Sequence, residues 1–343
     1  MKKKIVVTGG TGYIGSHTAV ELIAGGFEVV IIDNLYNSDI SVLEGIRAIT
    51  GVTPKFWQYD LCDMQKLEEV FVAEEKVDAI IHFAAYKAVG ESVRKPLEYF
   101  RNNLVSLMNL LDMMERHNTP VMVFSSSCTV YGQPDTLPVT EASPVKEAAS
   151  PYGYTKQAGE IIIRDIMAAR PSQKAVSLRY FNPIGAHPTA FLGELPRGVP
   201  ENLVPFITQT AMGLREELKV FGTDYDTPDG SCIRDYLHVV DLAKAHVTAL
   251  RRMLEGQNKM NYEVFNLGMG KGVSVLEAIT AFEKVTGMKL KYSVTDRRAG
   301  DIEKIWADPS LANRELGWKT EISIEEAMET AWRWEKRLKN KKS

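Results

Sequence analysis

The chain has 343 residues, 45% hydrophobic and 25% charged, with a formal net charge of −3. That length exceeds one ordinary core, so two domains or one enlarged α/β domain are expected. The charge gives no electrostatic reason to expect nucleic acid or an anionic membrane as partner. Cys62, Cys128 and Cys232 are scattered and odd in number, which argues against a disulfide framework and for a reducing, cytoplasmic compartment. His17, His82, His117, His187, His238 and His246 lie far apart and form no ligand cluster, so no metal is expected. Met1-Lys2-Lys3-Lys4 mimics a signal start, but the apolar run stops at Thr8-Gly9-Gly10 and reads as a strand.

Ile5-Val6-Val7 is a short buried-strand pattern, followed by Gly9, Gly12 and Gly15 and a helical stretch to Ala24. Val29 to Asp33 is the next strand. Glycines at this spacing suit a tight turn, a close approach of backbone to a pyrophosphate, and close helix–strand packing. The phosphates would sit on the helix N-terminus. Asp33 ends the second strand, where a carboxylate can accept from both ribose hydroxyls and repels a 2′-phosphate, which favours NAD. The alternation continues with a helix over 41–50 and strands over 55–59 and 79–83. A long helix over 96–116, a strand over 121–124 and a surface loop over 133–149 follow.

Ser150-Pro151 opens a further helix, with serine as cap and proline at the first position. Tyr152 and Lys156 share one face of it. A nearby ammonium and the positive helix end both favour a phenolate, a route to a general base. Ser127, in the serine run that closes the fifth strand, has a hydroxyl able to donate and accept as a proton moves. A sixth strand covers 175–179. The Pro- and Gly-rich stretch after Asn182 ends the sheet pattern, so the domain change is placed near residue 183, giving 1–183 and 184–343.

The G-x-x-G-x-x-G spacing and the Y-x-x-x-K resemble the extended short-chain dehydrogenase/reductase family. The segments Arg234-Asp235-Tyr236-Leu237-His238-Val239-Val240-Asp241 and Arg297-Arg298-Ala299-Gly300-Asp301 are similar to its nucleotide-sugar branch. The resemblance implies a Rossmann-type, doubly wound parallel sheet with a smaller C-terminal α/β substrate domain, some of whose chain returns to the first. It also implies interconversion of UDP-glucose and UDP-galactose by transient oxidation at C4 with tightly bound NAD.

For the cofactor, the resemblance implies Gly9, Gly12, Tyr13, Ile14 and Gly15, then Asp33 with Asn34, Leu35, Tyr36, Asn37 and Ser38. Asp60 and Leu61 would border the adenine, Asp60 being equally readable as a helix cap. Phe83, Ala84, Ala85, Tyr86, Lys87, Asn102 and Phe181 would line the rest. Ser127, Tyr152 and Lys156 would be catalytic and touch the cofactor. For the substrate it implies Ser127, Tyr152, Asn182, Asn202, Lys219, Val220, Phe221, Arg234, Arg298, Asp301 and Ile305. Arginine suits a diphosphate through its paired N–H fork.

Related dehydratases carry an Asp-Glu pair just after the catalytic serine. Here Cys128 and Thr129 stand there, so elimination lacks proton carriers. In the family a tyrosine at position 305 excludes an N-acetyl group and a small residue admits it, so Ile305 leaves both open. A UDP-hexuronate epimerase and a non-catalytic NAD sensor are the alternatives. The resemblance implies a homodimer.

Overall fold

A computed structural model describes residues 2–297 and 302–342. Its first half alternates strand and helix: β1 (Lys4–Thr8), α1 (Tyr13–Ala24), β2 (Glu28–Ile32), α2 (Val42–Thr50), β3 (Lys55–Trp57), α3 (Met64–Glu74), β4 (Ala79–His82), α4 (Val89–Arg94), α5 (Pro96–Phe100), α6 (Ser106–Arg116), β5 (Val121–Ser125), α7 (Pro151–Ala169) and β6 (Lys174–Tyr180). The second half is more broken: β7 (Asn182–Ile184), α8 (Leu203–Ala211), β8 (Leu218–Phe221), β9 (Ile233–Arg234), β10 (Tyr236–His238), α9 (Val239–Leu254), β11 (Tyr262–Leu267), β12 (Val273–Ser274), α10 (Val275–Thr286), β13 (Tyr292–Thr295), α11 (Ser310–Leu316) and α12 (Ile324–Lys342).

Seven of the strands form one parallel sheet in the order β11-β6-β5-β4-β1-β2-β3. Strands buried on both faces read as continuous apolar runs rather than alternating ones. Their side chains still divide by face. Ile5, Val7, Ile31 and Ile81 belong to one core, and Val6, Val30, Ile32 and Ile80 to the other. The chain order reverses between β1 and β4, so a crevice opens at their carboxyl ends, the usual ligand position in such sheets. A third core, with Ile184, Val204, Val220, Tyr236, Phe282 and Met328, lies within the second half.

Three features differ from the sequence reading. The edge strand β11 lies at Tyr262–Leu267, a stretch the sequence reading did not mark as a strand, and α9 packs against α1. The helix expected over 96–116 is broken by a π-helical segment, Arg101–Val105. Residues 133–149 are not wholly surface. Val139 is buried and pairs with Ala307, and Glu141 Oε1 accepts from Asn266 N at 2.7 Å. Buried backbone needs partners, and this loop finds them in the second half.

Asp235 ties segments of the second half together. Its carboxylate accepts from the N–H groups of Met269 (2.7 Å), Gly270 (3.2 Å) and Ala307 (3.1 Å). A Cβ on Gly268 would lie 2.3 Å from that carboxylate.

Burial holds four histidines neutral. It pushes His17 and His82 down to about 3, and His238 and His246 down to about 4. The unfolded chain takes up these protons near about pH 6.5, whereas the folded chain resists them. The unfolded state therefore binds more protons across the interval, and stability falls as pH is lowered from about 6.5 toward 4. By pH 5.5 each such group should cost about 1 kcal/mol. Urea unfolding across this range should show the loss, and a His246→Leu variant should show a shallower one.

Candidate active site

β1 runs into Gly9, whose φ of +67° is the left-handed conformation glycine adopts without strain. A Cβ on Gly9 would lie 2.7 Å from Ala84 N at the end of β4, and one on Gly15 would lie 2.3 Å from the Gly9 carbonyl oxygen. Only bare backbone fits this close turn. It starts α1 at the crevice with Gly12 as its N-cap and no side chain on its first N–H groups. That end is suited to a phosphate.

Asp33 is buried at the end of β2. It accepts from Thr11 N (3.2 Å), Leu35 N (2.9 Å) and Ser38 Oγ (3.1 Å), so one carboxylate ties the glycine turn to the 34–38 loop. Tyr36 and Asn37 are exposed at the rim, and the Tyr36 ring lies 4.7 Å from that of Tyr86. Arg197, a residue the sequence reading missed, clamps this loop from the second half. Its guanidinium donates to the carbonyls of Tyr36 (3.1 Å) and Ser38. Its only sequence signal was a cation within a Pro- and Gly-rich stretch. The donor and acceptor set, with its glycine cradle, fits an adenosine diphosphate.

Asp60 is not the cap of α3; Asp63 is, accepting from Gln65 N and Lys66 N. Asp60 instead accepts from Asn34 Nδ2 at 3.1 Å and Cys62 N at 2.8 Å, beside buried Leu61. Tyr13 reaches across to donate to the Gly185 carbonyl at 2.6 Å, while Ile14 packs on the first core. After β4, the Phe83 ring lies 4.7 Å from that of His246, and Ala84 and Ala85 are half-buried. Asn102, the asparagine singled out in the sequence, donates to the Oδ1 of Asn103 at 2.9 Å. The buried residue is Asn103. It holds Tyr86 by N–H (2.8 Å) and carbonyl (3.0 Å) and donates to Thr155 Oγ1 at 3.1 Å. The π-helical turn shifts the register enough to point Asn103 inward, and helical periodicity carries no sign of that.

The three expected catalytic side chains converge where β5 ends and α7 begins. Ser127, Tyr152 and Lys156 are 6%, 8% and 4% exposed. Ser150 caps α7 by accepting from Gly153 N at 3.2 Å, which fixes the first turn. Lys156 Nζ donates to the Ser125 carbonyl at 2.6 Å and lies 5.8 Å from the Tyr152 ring centre. Burial lowers the Lys156 ammonium to about 8, and Glu160 works against that fall. Burial pushes the Tyr152 phenol well up, aided by Tyr180, while a hydrogen bond with Ser127 pulls it down. The expectation that the ammonium makes this phenol acidic is thus corrected: desolvation of the phenolate outweighs it. The flanking serines hold side-chain partners of their own. Ser125 Oγ meets Tyr180 OH at 2.7 Å, and Ser126 Oγ donates to Glu160 at 2.5 Å.

On the facing side, Phe181 is buried and Asn182 is half-buried on β7, its N–H on the Asp235 carbonyl at 2.9 Å. Arg234 Nη1 donates to the carbonyls of Ile233 (2.9 Å) and Glu303 (3.4 Å). Glu194 Oε1 gathers Asn202 Nδ2 (2.5 Å) from the start of α8 and Lys87 Nζ (3.3 Å) from the first half. On β8 Lys219 and Phe221 face out and Val220 faces in. The Val220 side chain is enclosed in the third core, so only its backbone is available to a ligand. Ile305 is buried, with its N–H on the Ile233 carbonyl at 3.2 Å. Arg298 and Asp301 lie outside the described residues. Among the described residues no group of histidine, cysteine or acidic side chains could hold a metal, and no helix is long and apolar enough to cross a membrane.

Residues 6–331 match the family model described as GDP-mannose 4,6 dehydratase. Cys128 and Thr129, neither of them a carboxylate, follow Ser127 in this chain. The chain is 50% identical to the UDP-glucose 4-epimerase of Bacillus subtilis strain 168 over 331 residues, 96% of each chain. The chain belongs to the UDP-glucose 4-epimerase family. It is an extended short-chain dehydrogenase/reductase. Among solved epimerase structures, that of Bifidobacterium longum, in complex with NAD+ and UDP, superposes with a TM-score of 0.94 at 46% identity. It covers 98% of this chain and 99% of its own. The Stenotrophomonas maltophila epimerase, with NAD and formylated UDP-arabinopyranose, gives 0.95 at 45% identity and covers 99% of both.

A Gly15→Ala substitution should force the glycine turn apart. The expected cost is about 1–3 kcal/mol, read by urea unfolding.

Proposed function

We propose that this chain interconverts UDP-glucose and UDP-galactose by transient oxidation at C4 with resident NAD. The observation that carries this is the convergence of Ser127, Tyr152 and Lys156 beside the glycine turn, in a chain half identical over nearly its whole length to an epimerase of that name. Bound NAD supplies the acceptor, and later the donor, of a hydride at C4.

The chain's own residues do the rest. Tyr152 takes the 4-OH proton and returns it. Ser127, whose hydroxyl draws the phenol's pKa down, relays and orients that proton. Lys156 stands as a cation at the phenol's side, anchored by the Ser125 carbonyl. Gly9, Gly12 and Gly15 receive the diphosphate of the dinucleotide, and Asp33 its adenosine ribose. Asn182, Asn202, Lys219, Phe221 and Arg234, with Arg298 and Asp301, hold the nucleotide of the substrate while the sugar turns to present its other face. In this reading the first domain spans 1–183 with return of later chain, and the rest mainly binds substrate.

Purified protein given UDP-galactose and no added cofactor should form UDP-glucose. Tyr152→Phe should lower turnover on the order of a hundred- to ten-thousand-fold. Near-normal turnover in that variant would refute the role of the phenol.

The enzyme is proposed to work as a cytoplasmic homodimer. Its three cysteines are free. Leu97 near α6, Met108 on α6, and Tyr154 and Ile161 on α7 are exposed apolar side chains on neighbouring helices. Exposed apolar side chains on adjoining helices support a contact surface there. A double substitution, Met108→Glu with Ile161→Glu, should halve the mass seen by light scattering.

A further inference from the structure

Beneath the Tyr152–Lys156 turn lies a closed ionic group that the proposed chemistry does not use. Glu160, one turn beyond Lys156 on α7, is 7% exposed, Arg179 on β6 is 6% exposed, and Ser126 is fully buried. Arg179 Nε donates to Glu160 Oε1 at 2.9 Å and its Nη2 to Oε2 at 2.6 Å, a paired fork. Ser126 Oγ donates to the same carboxylate at 2.5 Å. Arg179 Nη1 donates to Tyr131 OH at 3.0 Å, which donates on to Asn266 Oδ1 at 2.6 Å. Every member has a partner, and the group spans α7, the end of β5, β6 and β11.

A buried ion pair adds little net stability over a well-packed apolar substitute. What it touches is more telling. Ser126 sits between the residue whose carbonyl anchors Lys156 and the serine that contacts Tyr152. We propose that Glu160, braced by Arg179, is a positioning residue of the epimerase centre: through Ser126 it fixes the strand end that carries Ser125 and Ser127, and it supplies the negative charge opposite Lys156.

The groups around Lys156 support this. Tyr152 shares its helix. From β5 it meets the Ser125 carbonyl and the Phe124 ring, 4.9 Å away. From β4 comes His82, which burial and Lys156 keep neutral. Tyr180 on β6 and Cys128 after β5 act on the Tyr152 phenol, and both are pushed up by burial and so uncharged. Arg179 is taken up by Glu160 and Tyr131, whose phenol burial also raises. Tyr262 on β11, likewise pushed up, faces Glu160. Glu160 is the charge that raises Lys156 against its burial.

This inference rests on the proposed epimerase reading. The test is Glu160→Gln in the holoenzyme, with kcat/KM for UDP-galactose followed across pH. Removing the negative charge lets the ammonium lose its proton sooner. The alkaline limb should move to lower pH by on the order of one unit, with bound NAD unchanged. A purely structural role would lower the melting temperature and leave that limb in place, and this result would overturn the proposal. Should Glu160→Gln fail to fold, Ser126→Ala keeps both charges and removes only the bond from Glu160 to the strand end. It must lower kcat for UDP-galactose with KM little changed, and an unchanged kcat overturns the proposal equally. Wild-type protein inactive on UDP-galactose would instead sink the epimerase reading itself, which separates the two failures.

Discussion

The site depends on one contact: the Lys156 ammonium donating to the Ser125 carbonyl, with almost no water near either. It joins the first turns of α7 to the carboxyl end of β5, two elements separated by a loop of irregular chain. A buried cation is costly unless its hydrogen bonds are met. That cost makes the geometry around Lys156 narrow. The same contact sets Tyr152 one helical turn away and brings Ser127 to its phenol. The Ser126–Glu160–Arg179 group closes beneath it, so the strand end and the helix are held from two sides.

A second constraint is the way the halves are tied. Asp235 gathers three backbone N–H groups from separate segments of the second half, and Asn182 leans on its carbonyl. Tyr13 reaches the Gly185 carbonyl, Arg197 clamps the 34–38 loop, and Glu194 bridges Lys87 and Asn202. The contacts of Asn182, Tyr13, Arg197 and Lys87 cross between the halves, so the walls of the crevice are linked by polar bonds as well as by packing. A ligand bridging both walls therefore meets a largely preformed cleft, which lowers the ordering cost of binding.

The desolvated phenol of Tyr152 sets a chemical condition. Burial favours its neutral form and opposes the role of base, while Ser127 opposes burial. A group so placed becomes a base only when charge nearby favours the phenolate. Lys156, itself lowered to about 8, is poised close to losing that charge. The pair is balanced by its surroundings rather than by its own two members, which is why the more distant carboxylate of Glu160 matters.

The sequence by itself determined the alternation of strands and helices through residue 180, the glycine turn, Asp33 at the strand end, and the Ser127–Tyr152–Lys156 set. Each of these is local: an apolar run, a spacing, a cap, or a helical turn that puts residues 152 and 156 on one face. The tertiary structure decided what depends on distant chain. It brought β11 to the sheet edge, drew Val139 out of its loop into the core, turned Asn103 rather than Asn102 inward at a π-helical turn, and set Arg197 on the 34–38 loop. It also made the Tyr152 phenol less acidic, because desolvation comes from every element packed around a group and leaves no mark in the residues beside it.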